Sequence, residues 1–366
     1  MGATFGLSDV GTAWIVSAFA VARLVTDLPA GLVADRVGRR TAFVAGGLCL
    51  STGALLAAVA PGPFLLYAGR ALSGVGHGLT ILTLLLLVMG TSPASVRTRA
   101  GSILEASIVF SFLLTGLAVG PLADGFGWRW ALGLTACTGY AATLLGAALA
   151  WAAEPAERAA PAGNAPPGPR AGLRPGAPSG ARIPAQVPAV LGAVFSMSFT
   201  WSGVMGTLVP LVGAQRFELD ATGIGRVLAL SFAADLLGLL PVALLADRRG
   251  GGRTLAGALA VAAAFAPMVL LAPGVGMLAA AIFVLGGTFA AWSVPPAILL
   301  RSVPVAAQAR TMGLFRFVAD VGFLVAPVVM AWVYGRTGIG GAAVVAAAVP
   351  LGAMAALLAG RRGEVP

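Results

Sequence analysis

A chain of 366 residues that is 58% apolar and only 10% charged lies far below the roughly 25% charged residues of a soluble domain, and it could not cover its own surface in water. The net charge of +10 does not point to nucleic acid, because all 23 basic residues are arginines scattered among polar breaks and not gathered in a stripe. Cys49, Cys137 and the single histidine, His77, are too few for a metal cluster or a disulfide framework, so no metal or cofactor is expected.

In chain order, apolar blocks cover 10–34, 42–60, 63–89, 101–123 and 129–152. Each is long enough to cross a ~30 Å hydrocarbon core as a helix. Continuous runs of Ala, Leu and Gly exclude the alternating strands of a membrane barrel, which leaves helices as the spanning element. The first block has no basic n-region and is too long for a signal-peptide core, so it reads as a retained helix. Pro61-Gly62-Pro63 separates the second block from the third.

The segment 153–186 differs in kind: rich in Pro, Ala, Gly and Arg, it cannot bury a core, and it predicts a disordered linker. Six further blocks follow at 187–212, 222–246, 254–272, 274–300, 311–334 and 339–360, with Pro273-Gly274 as a break. The expected architecture is an all-α membrane protein of eleven spans, an N-terminal bundle over 1–152 and a C-terminal bundle over 187–366. With the linker placed in the cytoplasm, sixteen loop arginines fall inside and only Arg129, Arg216, Arg226 and Arg336 fall outside. That asymmetry puts the C-terminus inside and the N-terminus outside.

The two halves repeat. Asp9-Val10-Gly11, Pro29 and Ala34-Asp35-Arg36-Val37-Gly38 return 212 residues later as Ala221-Thr222-Gly223, Pro241 and Ala246-Asp247-Arg248-Arg249-Gly250. Parallel repeats about an axis normal to the membrane are one way to build a transport site at the midplane. The second half has six spans and the first five, so one span before Val10 is expected to be missing, through a late start of the reading frame or as a genuine eleven-span chain.

Gly31-Leu32-Val33-Ala34-Asp35-Arg36-Val37-Gly38-Arg39-Arg40 resembles the G-x-L-a-D-r-x-G-r-r signature of the major facilitator superfamily, found between that family's second and third helices. Gly69-Arg70-Ala71-Leu72-Ser73-Gly74-Val75-Gly76 resembles its R-x-x-x-G-x-G pattern, and Gly127-Trp128-Arg129-Trp130 its G-W-R-W. The resemblance implies a two-bundle fold, alternating access and a small-molecule substrate. The G-P-x-x-G-G run of the family's proton-coupled drug antiporters is not matched: Gly116 stands where its proline is expected, and Pro121 is displaced. In the signature itself, Gly31 and Gly38 allow close approach and a tight turn. Arg36, Arg39 and Arg40, with Asp247 and Arg248 in the second copy, are either topology anchors or parts of a conformational latch.

A charge at mid-helix is costly, about 2.5–3.5 kcal/mol on insertion scales, and is a site hypothesis by default. Arg23, Asp27, Arg70, Glu105, Asp235, Arg316 and Asp320 qualify. Arg23 with Asp27 and Arg316 with Asp320 are spaced i, i+4, so each pair could neutralise itself on one helix. The resemblance implies instead that their helices pack antiparallel between the bundles, where Arg23 and Asp320, and Asp27 and Arg316, fall at matching depth. Glu105 and Asp235 have no opposite charge one turn away, so they are candidates to carry protons, Asp235 first because it is nearer mid-span. The resemblance also places the helix of Arg70 and His77 on the central cavity. Trp201 and Trp292 sit deep enough to line it, whereas Trp14, Trp128, Trp130, Trp151 and Trp332 lie near span ends as interfacial anchors.

With no lysine and no G-x-x-x-x-G-K-[S/T] run, nothing resembles a nucleotide site, and no enzyme motif stands out. The expectation is a monomeric secondary transporter of the cytoplasmic membrane, moving a small organic compound outward with protons as coupling ion. An uptake symporter and a non-transporting membrane sensor or remnant remain the alternatives. Protease added to inverted vesicles should cut first within 153–186; protection there, with cleavage in right-side-out vesicles, would reverse the topology.

Overall fold

The computed structural model describes residues 3–91, 97–152, 186–303 and 305–362. The predicted linker lies outside the described residues except for Gln186, which already belongs to a helix. Among the described residues eleven helices follow one another: α1 Asp9–Val37, α2 Arg39–Ala58, α3 Pro63–Thr91, α4 Arg97–Phe126 and α5 Trp128–Ala152, then α6 Gln186–Arg216, α7 Ala221–Arg249, α8 Gly251–Leu271 and α9 Val275–Ser302. A last helical stretch, Val305–Arg362, is broken at Gly338 (φ 69°) into α10 (305–337) and α11 (339–362).

The repeat in the sequence is a repeat in the backbone. Ser8 caps α1 by accepting a hydrogen bond from the Gly11 N–H at 3.1 Å, and Asp220 caps α7 by accepting one from Gly223 at 2.7 Å. Both helices run 29 residues through an internal proline, Pro29 and Pro241. They end at Gly38 (φ 87°, ψ 143°) and Gly250 (φ 86°, ψ 139°), left-handed positions suited to glycine.

This corrects the reading of the signature as a loop. Gly31, Asp35 and Arg36 lie in the last two turns of α1, Arg39 and Arg40 open α2, and only Gly38 is non-helical. Asp247 and Arg248 likewise lie in the last turn of α7. Basic residues at a helix C-terminus are favourable to its dipole, so the charged run extends the helix beyond its apolar block.

α1, α2, α3 and α5 pack together, as do α6 to α11, and the two groups meet where α1 lies along α10 and α4 along α7. Close packing between α2 and α3 is glycine on glycine. A Cβ on Gly69 of α3 would stand 2.7 Å from the Gly53 carbonyl oxygen of α2, and one on Gly76 would stand 2.5 Å from that of Gly46. In hydrocarbon, where apolar contact with lipid competes with apolar contact between helices, such backbone approach drives association. Large apolar side chains point outward along the helices, Phe64 at 86% exposure and Leu144 at 64%, as a surface solvated by lipid requires. Trp14, Trp130, Trp151 and Trp332 are exposed as well.

Two helices depart from regular winding. α6 is π-wound over Thr200–Leu208, with the Thr207 hydroxyl donating to the Ser202 carbonyl five residues back at 2.9 Å; Pro210 has no N–H to give Gly206, which favours the shift. α9 tightens to a 3-10 turn over Ala290–Ser293 just before Pro295-Pro296. Replacing Gly76 by Leu should lower the thermal stability of the detergent-purified protein by 1–3 kcal/mol or more through overpacking. Gly62→Leu, where a Cβ meets nothing within 4 Å, should leave it nearly unchanged; equal losses would remove the packing argument.

Candidate functional site

Helices α1 and α10 run antiparallel, and their contacts step along both. The Ser17 hydroxyl donates to the Leu324 carbonyl at 3.0 Å. One level down, Arg23 pairs with Asp320, their side chains 15% and 3% exposed. Below that, Arg316 faces Asp27 at 3.7 Å. The Arg23 guanidinium also lies 4.8 Å from the centre of the Phe323 ring, a cation–π contact that gains strength away from water. Each arginine therefore meets the other helix's aspartate, and the cluster joins the two groups of helices near the middle of α1 and α10.

Helix α3 makes room for it. A Cβ on Gly74 would collide with the Phe19 carbonyl of α1, and one on Gly78 would lie 2.7 Å from an Asp27 carboxylate oxygen. Arg70 and His77, on the same helix, both address Phe19. The guanidinium stands 5.0 Å from the ring centre and donates from Nε to the Ile15 carbonyl at 3.4 Å; the imidazole meets the ring edge-on at 5.3 Å. Among the described residues Arg70 has no acidic partner and His77 Nδ1 has no hydrogen-bond partner.

Helices α4 and α7 meet differently. A Cβ on Gly116 would lie 3.1 Å from the Gly225 carbonyl, and one on Gly120 would lie 2.5 Å from that of Ala221. At the arginine-poor end the Asp124 carboxylate accepts from the Ala221 and Thr222 N–H groups at 2.9 and 2.6 Å, so the first turn of α7 is capped from α4. Sequence reasoning missed Asp124, because its partners, the first N–H groups of α7, lie 97 and 98 residues away in the chain. Nearby, Gln215 Nε2 of α6 donates to Asp9 of α1 at 3.4 Å, and the Tyr334 hydroxyl of α10 donates to Gln215 at 3.0 Å. Glu105 and Asp235 are half-buried on the same two helices, and among the described residues neither has a cation partner.

Between these contacts lies an aromatic cluster. Trp201, on the π-wound segment, meets Phe323 at 5.5 Å, Phe112 at 6.1 Å and Phe232 at 6.5 Å between ring centres. Phe112 stacks on Phe232 at 5.3 Å. Trp292, on the 3-10 turn, meets Phe323 and Phe315 at 6.2 and 6.1 Å. The phenylalanines carried no signal in the sequence, since an aromatic on an apolar span reads as packing.

The signature residues are not part of this centre: Arg36 and Gly38 are exposed and Arg39 and Arg40 half-buried at the arginine-rich end, with Gly31 one turn above Arg36. The side chain of Asp35 lies outside the described residues. Asp247 and Arg248 are exposed at the corresponding end of α7.

The sequence profile of the Major Facilitator Superfamily matches residues 1–219 and 190–366. A Multidrug resistance protein B homolog of Mycobacterium tuberculosis is 34% identical over 152 residues, 40% of this chain and 27% of that protein. A sugar transport protein of Oryza sativa is 31% identical over 123 residues, 33% of this chain and 24% of that protein. The alignments thus span about a quarter of these relatives' length. Among solved structures, a peptide transporter in complex with alafosfalin superposes with a TM-score of 0.76 at 17% identity, covering 96% of this chain and 86% of that one. A bacterial homolog of the human lysosomal transporter Spinster gives 0.74 at 15%, covering 98% and 90%.

The charge cluster is open to a double-mutant cycle on thermal stability. Arg23→Gln or Asp320→Asn alone leaves a buried charge without its partner and should cost about 3–5 kcal/mol. The double variant should lose much less than the sum of the two. Additive losses for this pair, with coupling confined to Arg23 and Asp27, would return the charges to pairing within one helix.

Proposed function

The chain belongs to the major facilitator superfamily, and from that premise we propose that this membrane transporter exports a small organic compound in exchange for protons by alternating access. The observation that carries the proposal is the division of labour between the two helix pairs that join the bundles. On α1 and α10 opposite charges neutralise one another across the interface. On α4 and α7 two carboxylates, Glu105 and Asp235, are half-buried without a cation partner among the described residues. A carboxylate held at depth without a cation is relieved by taking up a proton, so these residues are suited to carrying the coupling ion. The outward direction draws support from the similarity to a multidrug resistance protein homolog and a probable multidrug-efflux transporter of Mycobacterium tuberculosis.

In this reading the arginine-rich side is cytoplasmic, and the conformation described is closed toward the outside by Asp124 of α4 capping α7, the glycine contacts of α4 and α7, and the Gln215 contacts with Asp9 and Tyr334. Export requires those contacts to part while the arginine-rich end closes. The aromatic cluster around Trp201 and Phe323 touches the charge cluster through Arg23, and it offers the substrate ring faces in a place where the helices are already irregular. Irregular winding of this kind recurs at functional sites. The displaced Pro121 supports a second reading, an uptake symporter, since it departs from the antiporter run.

Asp235→Asn keeps the side chain's shape and removes the titratable group. In proteoliposomes under an imposed pH gradient it should abolish gradient-driven movement of substrate while preserving folding and downhill exchange. Full gradient-driven transport by the variant would remove Asp235 from the mechanism.

A further inference from the structure

A groove of about 530 Å³ lies between α7, α8 and α9, away from the charge cluster and the aromatic centre. Its length is apolar. Leu245, Val261 and Val284 form part of the lining, and each is 37% exposed, so the groove opens to the surrounding hydrocarbon. Its one charged end holds Arg249, the last residue of α7, and Arg253, in the first turn of α8; the lining contains no acidic side chain. Both arginines are exposed and neither makes an ion pair among the described residues. No side chain caps α8, whose N-cap is Gly250, so the positive end of its dipole adds to the same spot.

From Arg253 to Val261 the groove follows α8 for roughly 12 Å at 1.5 Å per residue, close to one leaflet of a ~30 Å core. A ligand matching this layout is anionic at one end and aliphatic along one leaflet's depth. We propose that the groove binds an anionic phospholipid, its phosphate between Arg249 and Arg253 and an acyl chain along Leu245, Gly257, Val261 and Val284. Gly257 is the residue that keeps the floor open: a Cβ there would meet nothing within 4 Å, so the space beside it belongs to the groove and not to a neighbouring helix.

The test uses the full chain purified in detergent, with binding followed by native mass spectrometry and by melting temperature. The probes are phosphatidylglycerol, phosphatidylcholine with the same acyl chains, and glycerol 3-phosphate as a headgroup without chains. Wild type should prefer phosphatidylglycerol to phosphatidylcholine. The variant with Arg249→Gln and Arg253→Gln should lose that preference, about fivefold for each arginine and roughly 30-fold for the pair. Gly257→Leu should weaken both lipids without lowering the melting temperature of the lipid-free protein. Protection by glycerol 3-phosphate equal to that by phosphatidylglycerol would make this a free-anion site and overturn the lipid. Retained preference in the arginine variant, or unchanged lipid binding in Gly257→Leu, would overturn it as well.

Discussion

Four charges between α1 and α10 can persist in hydrocarbon only in one another's company. Taking a single guanidinium or carboxylate out of water costs several kcal/mol even after relaxation, and the cost is met only by a partner held in good geometry. That requirement disciplines the helices around it. α1 and α10 must lie antiparallel in a fixed register, because a shift of one residue would carry Arg23 past Asp320 and Asp27 past Arg316 together. α3 must be glycine where it crosses, because Phe19 and Asp27 leave no room for a side chain at Gly74 and Gly78. Phe323 must present its face to Arg23, which ties the aromatic cluster to the same register.

The second interface follows a different physics. Where α1 meets α10 through long side chains, α4 meets α7 through backbone, with Gly116, Gly120 and Gly225 removing what would hold the helices apart. The two halves of the chain descend from one pattern, yet the repeat partner of Arg23 is Asp235. A cation on one side of the protein corresponds, on the other, to a carboxyl group with no cation partner among the described residues. The duplicated backbone, down to matching dihedral angles at Gly38 and Gly250, thus supports two interfaces of opposite character.

Much of this was legible in the sequence. Length and apolarity of the blocks were enough to find each span, and the breaks at Pro61-Gly62-Pro63 and Pro273-Gly274 were where the chain turns. The i, i+4 spacing of two arginine and aspartate pairs drew attention to the helices that meet. What escaped was whatever depends on neighbours distant in sequence. Phe112, Phe232 and Phe323 look like any other apolar residues until Trp201 stands among them. Asp124 declares its partner only when α7 begins beside it. The length of the turn at Gly38 was overestimated because charge was read as the end of a helix, whereas α1 carries Asp35 and Arg36 within its last turn.

The Asp124 cap has an implication for motion. Its carboxylate holds two main-chain N–H groups at the head of a helix, and Asp220 already serves a third. Pulling α4 away would uncover a helix head that water can rewet at once, since it sits at the membrane edge. Pulling α1 from α10 would instead part four charges near the middle of both helices, each losing its partner at once. The two seams of this protein therefore differ in how they yield: one unzips gradually from the rim, and the other resists until its charges can be handed to something else.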